Sequence, residues 1–290
     1  MAVMERSPAW HQVITVIALA LSLSAAKASF QNFRITFGEI HSSVTPYVAS
    51  LVLDQDSGTG IQSNKPYLFG SFEMLIKLVP GNSAGTVVAY YLSSKGDAHD
   101  EIDFEFLGNV SGQPYVIHTN IFAQGIGGRE QQFFPWFDPT NGYHNYTIHW
   151  NPSTVVWYVD SVPIRVYRKY PGIGYPEYQG MSVYSSLWNA DNWATRGGKD
   201  KIDWQRAPFI ANLNRFRARA CVYGGLSSIR WCARRGGNHW WTSPAYRQLS
   251  GSDFWKMTQL RAKYMIYDYC KDFKRFRTKP MPPECSKPQY

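Results

Sequence analysis

The stretch Asp100-Glu101-Ile102-Asp103-Phe104-Glu105-Phe106 constrains this chain more than any other. From Glu101 onward, acid and apolar residues alternate one by one, which is the period of a β-strand. Read as a strand, Glu101, Asp103 and Glu105 share one face while Ile102, Phe104 and Phe106 point into a core. Three carboxylates side by side repel one another, and a strand serving structure alone rarely carries them. Like charges that close raise at least one carboxyl pKa, as a general acid requires.

Other runs repeat the strand signal. Leu68 to Leu78 alternates, and Thr86-Val87-Val88-Ala89-Tyr90-Tyr91-Leu92 is rich in β-branched and aromatic residues. Tyr146–Trp150 and Val155–Val159 flank Asn151-Pro152-Ser153, a hairpin signal. Short runs broken by Gly, Pro, Asn and Asp continue from about Phe30 to Phe209, with no helices between them. That predicts an all-β antiparallel sandwich rather than a βαβ fold. The chain's 290 residues suit one large domain, and 44% hydrophobic with 18% charged residues excludes disorder. Residues 253–269 are helix-friendly, with Ser252 or Asp253 as caps.

Arg6 and His11 precede the apolar run Val13–Leu21, and Ala26-Lys27-Ala28 is an A-x-A cleavage pattern. Residues 1–28 therefore read as a secretory signal peptide, too short in its apolar part to span a bilayer. No membrane partner is expected, and secretion excludes nucleic acid. Residues 213–290 hold 16 Lys and Arg against 4 Asp and Glu, a basic end suited either to acidic wall polymers or to water alone. All four cysteines (Cys221, Cys232, Cys270, Cys285) lie there too. Three pairings are open, and the sequence-local pairs Cys221–Cys232 and Cys270–Cys285 are favoured over a zinc site, since no Cys-x-x-Cys is present.

Paired carboxylates are the tools of retaining glycosidases: one nucleophile, one acid/base, with carboxyl groups about 5–5.5 Å apart. Glu101 and Glu105 lie roughly 13 Å apart along an extended backbone, so their side chains must lean together. A calcium site and a solvated acidic face are the competing readings. The 11 Trp and 19 Tyr residues are suited to stacking on sugar faces as well as to packing a core.

The run His99 to Asn109 closely resembles the active-site signature of the xyloglucan endotransglucosylase/hydrolases, and nearly the whole mature chain follows suit. Tyr67-Leu68-Phe69-Gly70, Leu78 to Thr86, Arg129-Glu130-Gln131-Gln132, Trp193 to Gly198, Tyr267-Asp268-Tyr269-Cys270 and Pro283-Glu284-Cys285 carry the same resemblance. It implies a concanavalin-like β-jelly-roll over residues 29–212. Residues 213–290 would form a C-terminal extension with a helix and disulfides, completing the acceptor side of the groove. It also implies a secreted, monomeric cell-wall enzyme that cuts a β-1,4-glucan and passes it to another xyloglucan chain, with no cofactor and no metal.

The resemblance casts Glu101 as nucleophile, Glu105 as acid/base and Asp103 as their supporting partner. His118, Thr119, Asn120, Gly128, Arg129, Glu130, Trp193, Ala194, Gly198 and Arg275 match sugar-contacting segments, and Tyr90 and Trp188 are further stacking candidates. Asn109 heads a glycosylation sequon often used in the family, and Asn145 heads a second one inside a strand. Gly128 departs from the acid frequent at its position, Pro135 from an apolar residue and Asn192 from Asp. These departures touch donor or acceptor preference, not the reaction. A predominantly hydrolytic enzyme is the near alternative, disfavoured because no insertion is evident around Trp193–Asp203. A non-catalytic glycan-binding module or a structural wall protein would not need three aligned acids.

Overall fold

A computed structural model describes residues 30–289, and the signal-peptide assignment lies outside them. In chain order the strands are β1 (Phe33–Phe37), β2 (Ser43–Val44), β3 (Val48–Leu53), β4 (Thr59–Ser63), β5 (Tyr67–Lys77), β6 (Thr86–Ser93) and β7 (Glu101–Leu107). Then come β8 (Val116–Phe122), β9 (Gln131–Phe133), β10 (His144–Trp150), β11 (Thr154–Val159), β12 (Val162–Arg168), β13 (Ser182–Asn189) and β14 (Phe209–Val222). Helices α1 (Leu226–Ala233) and α2 (Gly251–Tyr264) follow, then the short strand β15 (Met265–Asp268).

The strands form two antiparallel sheets, ordered β1-β4-β13-β6-β7-β8-β9-β15 and β12-β11-β10-β5-β14-β3-β2. This is the all-β sandwich that the alternation predicts and the jelly-roll that the resemblance implies. The carboxylate strand β7 sits inside the eight-stranded sheet, between β6 and β8. Its inner side chains Ile102, Phe104 and Phe106 are wholly buried. Phe104 stacks on Phe106 and Tyr90, and both phenylalanines meet the edge of Tyr146 from the opposite sheet. Each such ring contributes about 2–3 kcal/mol by leaving water. That packing fixes the register, and a slip of one residue would turn every acid inward.

The helix and the boundary differ from the sequence reading. Helix α2 is capped by Ser250, whose Oγ accepts from the Asp253 N–H, rather than by Ser252 or Asp253. It ends at Tyr264, where the chain turns extended to pair β15 with β9. Strand β14 runs through residue 212 to Val222, so the sandwich continues into the basic segment. Met257 of α2 packs with Val156 and Val166 on the outside of the smaller sheet. The disulfides are Cys221–Cys232 and Cys270–Cys285, the sequence-local pairs. Among the described residues no helix is long and apolar enough to cross a membrane.

Candidate active site

Antiparallel register lays the outer face of the larger sheet out in rows. Asp103 lies opposite Tyr91 on β6 and Asn120 on β8. Glu105 lies opposite Ala89 and His118, and Glu101 opposite Ser93 and Phe122. A cleft of about 320 Å³ runs over these rows, lined by Ala89, Tyr91, Glu101, Asp103, Glu105, Asn120, Phe122, Ser186 and Trp188. All three acids predicted for one face are on it.

Their surroundings set them apart. Burial pushes the Glu105 carboxyl up to about 7, aided by the charges of Glu101 and Glu130. Burial also drives Asp103 well above the carboxylate range, followed by the charges of Glu101 and Glu105 and a hydrogen bond with Glu101; Arg165 opposes the shift. The shift makes Asp103 more ready to hold a proton than an ordinary carboxyl, with Glu101 beside it. His118 Nε2 stands 3.7 Å from Glu105 Oε2. Burial lowers that imidazole to about 4, keeping it neutral. The Gln132 side-chain amide lies 3.0 Å from His118 Nδ1 and can only donate to it, which leaves the hydrogen on Nε2, facing Glu105. Among the described residues no group of three or more His, Cys, Asp or Glu is placed to hold a metal ion.

On the loop between β8 and β9, Arg129 and Glu130 reach in opposite directions. Glu130 pairs with Arg275 through both carboxylate oxygens. Burial alone would raise Glu130, but Arg275 holds it below its usual range. Gly128 has φ +79°, and a Cβ there would come within 2.9 Å of Arg275 Nη2. The glycine thus leaves room for the Glu130–Arg275 pair. Trp193 meets His118 edge-on and lies 6.2 Å from Trp188, extending an aromatic wall beside Glu105.

Four sequence-predicted contacts are corrected. Tyr90 is 0% exposed and stacks on Phe104, so Tyr91 is the cleft tyrosine. Thr119 is fully buried on the core side, its hydroxyl donating to the Gln131 carbonyl. Arg129 is buried and paired with Glu284 at 2.5 Å, beneath the loop rather than over the cleft. Ala194 is buried beside Val87 and Leu107, offering the cleft no side chain. Gly198 has φ +82°, and a Cβ there would come within 2.5 Å of the Asn192 carbonyl oxygen, which accounts for the glycine by loop closure. Asn109 stands just past β7, its amide donating to the Pro114 carbonyl, while Asn145 is half-buried within β10. Phe122 and Ser186 were missed. Phe122 carries no signal beyond its even spacing from His118 and Asn120 on β8.

The fold is shared with several solved structures. A β-glucanase from Bacillus licheniformis superposes with a TM-score of 0.54 at 24% identity, over 64% of this chain and 91% of that one. The Crh5 transglycosylase does so at 0.53 and 23%, over 67% and 80%. The family described as Glycosyl hydrolases family 16 matches residues 29–206, and the xyloglucan endo-transglycosylase C-terminus matches residues 235–285. Xyloglucan endotransglucosylase protein 1 of Diospyros kaki is 45% identical over 99% of this chain and 98% of its own length. Xyloglucan endotransglucosylase/hydrolase protein 15 of Arabidopsis thaliana is 47% identical over 95% and 96%. The chain belongs to glycosyl hydrolase family 16, among the xyloglucan endotransglucosylase/hydrolases.

Proposed function

We propose that this protein is a retaining xyloglucan endotransglucosylase. The observation that carries this reading is the single cleft row of Glu101, Asp103 and Glu105, in which Glu105 is held protonated up to about pH 7. Glu101 attacks the anomeric carbon of the donor glucan while Glu105 gives its proton to the leaving oxygen. Asp103 donates its hydrogen bond to Glu101 and keeps it aimed. Glu105, now ionised, takes the proton of an incoming 4-hydroxyl, and the chain passes from Glu101 to the acceptor. Trp188, Trp193 and the Glu130–Arg275 pair line the acceptor side, where orientation lets a sugar hydroxyl outcompete water. Xyloglucan in relatives' names supports the substrate, and the extension from residue 213 completes this wall. The enzyme acts as a secreted monomer in the cell wall.

The test is a product assay on the secreted protein with xyloglucan and a fluorescent xyloglucan oligosaccharide. Label moving into polymer is expected. Reducing ends accumulating without label transfer would make the protein a hydrolase instead.

The basic end supplies a second contact. Residues 209–240 contain Arg215, Arg217, Arg219, Arg230, Arg234 and Arg235 and no Asp or Glu. All six are exposed. Arg219 lies over Trp240, and its acidic neighbour is Glu73 at 3.5 Å. The disulfide Cys221–Cys232 ties α1 to the end of β14, so these arginines gather on the smaller sheet, away from the cleft. That charge suits an acidic wall polysaccharide. The protein is expected to bind insoluble polygalacturonate at low ionic strength and to elute with salt. Replacing Arg215, Arg217, Arg234 and Arg235 by Gln should abolish retention and leave xyloglucan transfer unchanged. Passage of the unmodified protein through the polymer at low salt would refute this contact.

A further inference from the structure

The interior of the sandwich contains one group that packing does not require. Arg165 of β12 sits opposite Trp157 of β11, points between the sheets and is 1% exposed. Its guanidinium lies 4.7 Å over the Trp157 ring. Nη1 donates to the Thr119 carbonyl and hydroxyl, both at 2.8 Å, and Nη2 donates to the Arg129 carbonyl at 2.6 Å. Burial lowers its pKa only to about 10, so the charge persists at neutral pH. Burying a cation costs several kcal/mol, and an apolar residue of similar volume is often as stable or more so. A core position that breaks the local rule is where a functional demand is to be sought.

The partners of Arg165 say what that demand is. Thr119 separates His118 from Asn120, two outward-facing residues of β8, and Arg129 immediately precedes Glu130. The two segments are already joined, because Asn120 Oδ1 accepts from the Arg129 N–H at 3.0 Å. Arg165 grips the carbonyl on each side of that joint. Its stacking partner Trp157 donates to the Asp103 carbonyl at 2.9 Å, holding β7 in the same way. Two inward side chains of the opposite sheet thus set the catalytic strand, its neighbour and the acceptor loop against one another.

We propose that Arg165 is a positioning residue for the reaction: from across the sandwich it fixes the segments that present His118, Asn120 and Glu130 to Glu105, and it places a positive charge behind the carboxylate row. This rests on Glu101 and Glu105 being the reacting groups. The groups around Asp103 are Glu101 and Glu105 on its own strand, Tyr91 from β6 and Asn120 from β8, with Arg165 behind. Around Glu105 are Glu101, His118 and Glu130, the last paired with Arg275. Tyr167, Arg261, Asp268 and Tyr269 surround Arg165 itself. Arg165 is therefore the cation that offsets Asp103 from the core side.

The full secreted protein carrying R165K or R165M would be compared with the unmodified enzyme and with E101Q. Transfer rates per folded molecule would be taken against acceptor concentration and pH. R165K keeps the charge but loses the fork, so the acid limb should stay in place while the acceptor KM rises about tenfold. R165M loses the charge as well, so its acid limb should move up by about one pH unit, because carboxylates without a cation hold their protons longer. A lower Tm in both variants with the original acceptor KM and acid limb would overturn the proposal and leave Arg165 a scaffold residue. If R165M does not fold, an unchanged acceptor KM in R165K overturns it alone. Transfer that is absent from the unmodified protein, or equal in E101Q, would instead remove the functional reading beneath it.

Discussion

Replacing Glu101 by Gln is expected to end turnover, with kcat lower by on the order of 10⁴-fold or more, as when a nucleophile is removed. Gln fills the same space and keeps a polar end, but it cannot form the covalent glycosyl ester. The packing of Ile102, Phe104 and Phe106 on the other face is untouched, so the variant should fold, give the same near-UV circular dichroism and still bind glucan. Asp103 is raised chiefly by burial, and loss of the Glu101 charge removes one of the repulsions that add to it. The measurement is label transfer to polymer by equal amounts of folded enzyme and variant. Retained transfer would mean that the carboxylate row binds sugar without attacking it.

Glu105→Gln is expected to lower the rate by about 10²–10⁴-fold on the polysaccharide, whose alkoxide leaves poorly without a proton. An activated aryl glycoside, which needs no such help, should lose far less. The pH dependence has a definite sign. Glu105 is raised to about 7, so the acid form is present below that pH and lost as pH rises through it. The basic limb of kcat/KM should fall near 7 in the enzyme and vanish from the variant acting on the activated substrate. The same shift is a stability statement. The folded state holds this proton more tightly than the unfolded chain, so its stabilising contribution is complete below the ordinary carboxyl value of 4.5 and is lost by pH 7 and above. Urea unfolding should therefore show the Gln variant gaining on the unmodified protein between pH 4 and pH 8, by on the order of 1–3 kcal/mol. An equal difference at both pH values would contradict a buried acid.

What the sequence yields and withholds follows from periodicity. In β7 the two faces differ in chemistry, so alternation alone orients every side chain correctly. In β6 both faces are largely apolar. Tyr90 and Tyr91 are adjacent, and only pairing with Phe104 and Asp103 decides which one reaches the cleft. Thr119 lies between two polar outward-facing residues and looks like one of them until its register opposite Phe104 turns it inward. Arg129 and Glu130 stand together in the motif, yet alternate residues part to opposite sides, and Glu284, remote in sequence, claims the arginine. Arg165 was invisible for the converse reason. A charged residue in an alternating strand is read as outward, and nothing local reveals the ring and carbonyls that receive it. The sequence-local disulfides, by contrast, needed only short spacing to be favoured.

The pairing of β15 with β9 gives the C-terminal extension a duty unrelated to sugar. A long sheet that ends in bare N–H and C=O groups invites another chain to add itself. Here the last strand of the cleft sheet is covered by a four-residue piece that returns from the end of α2, and the Arg129–Glu284 pair and the Cys270–Cys285 bond hold the adjoining segment down. The sandwich cannot simply be trimmed to a minimal hydrolase, because trimming would expose a self-association edge next to the cleft. A shortened descendant of this chain would have to close that edge by other means before it could remain soluble.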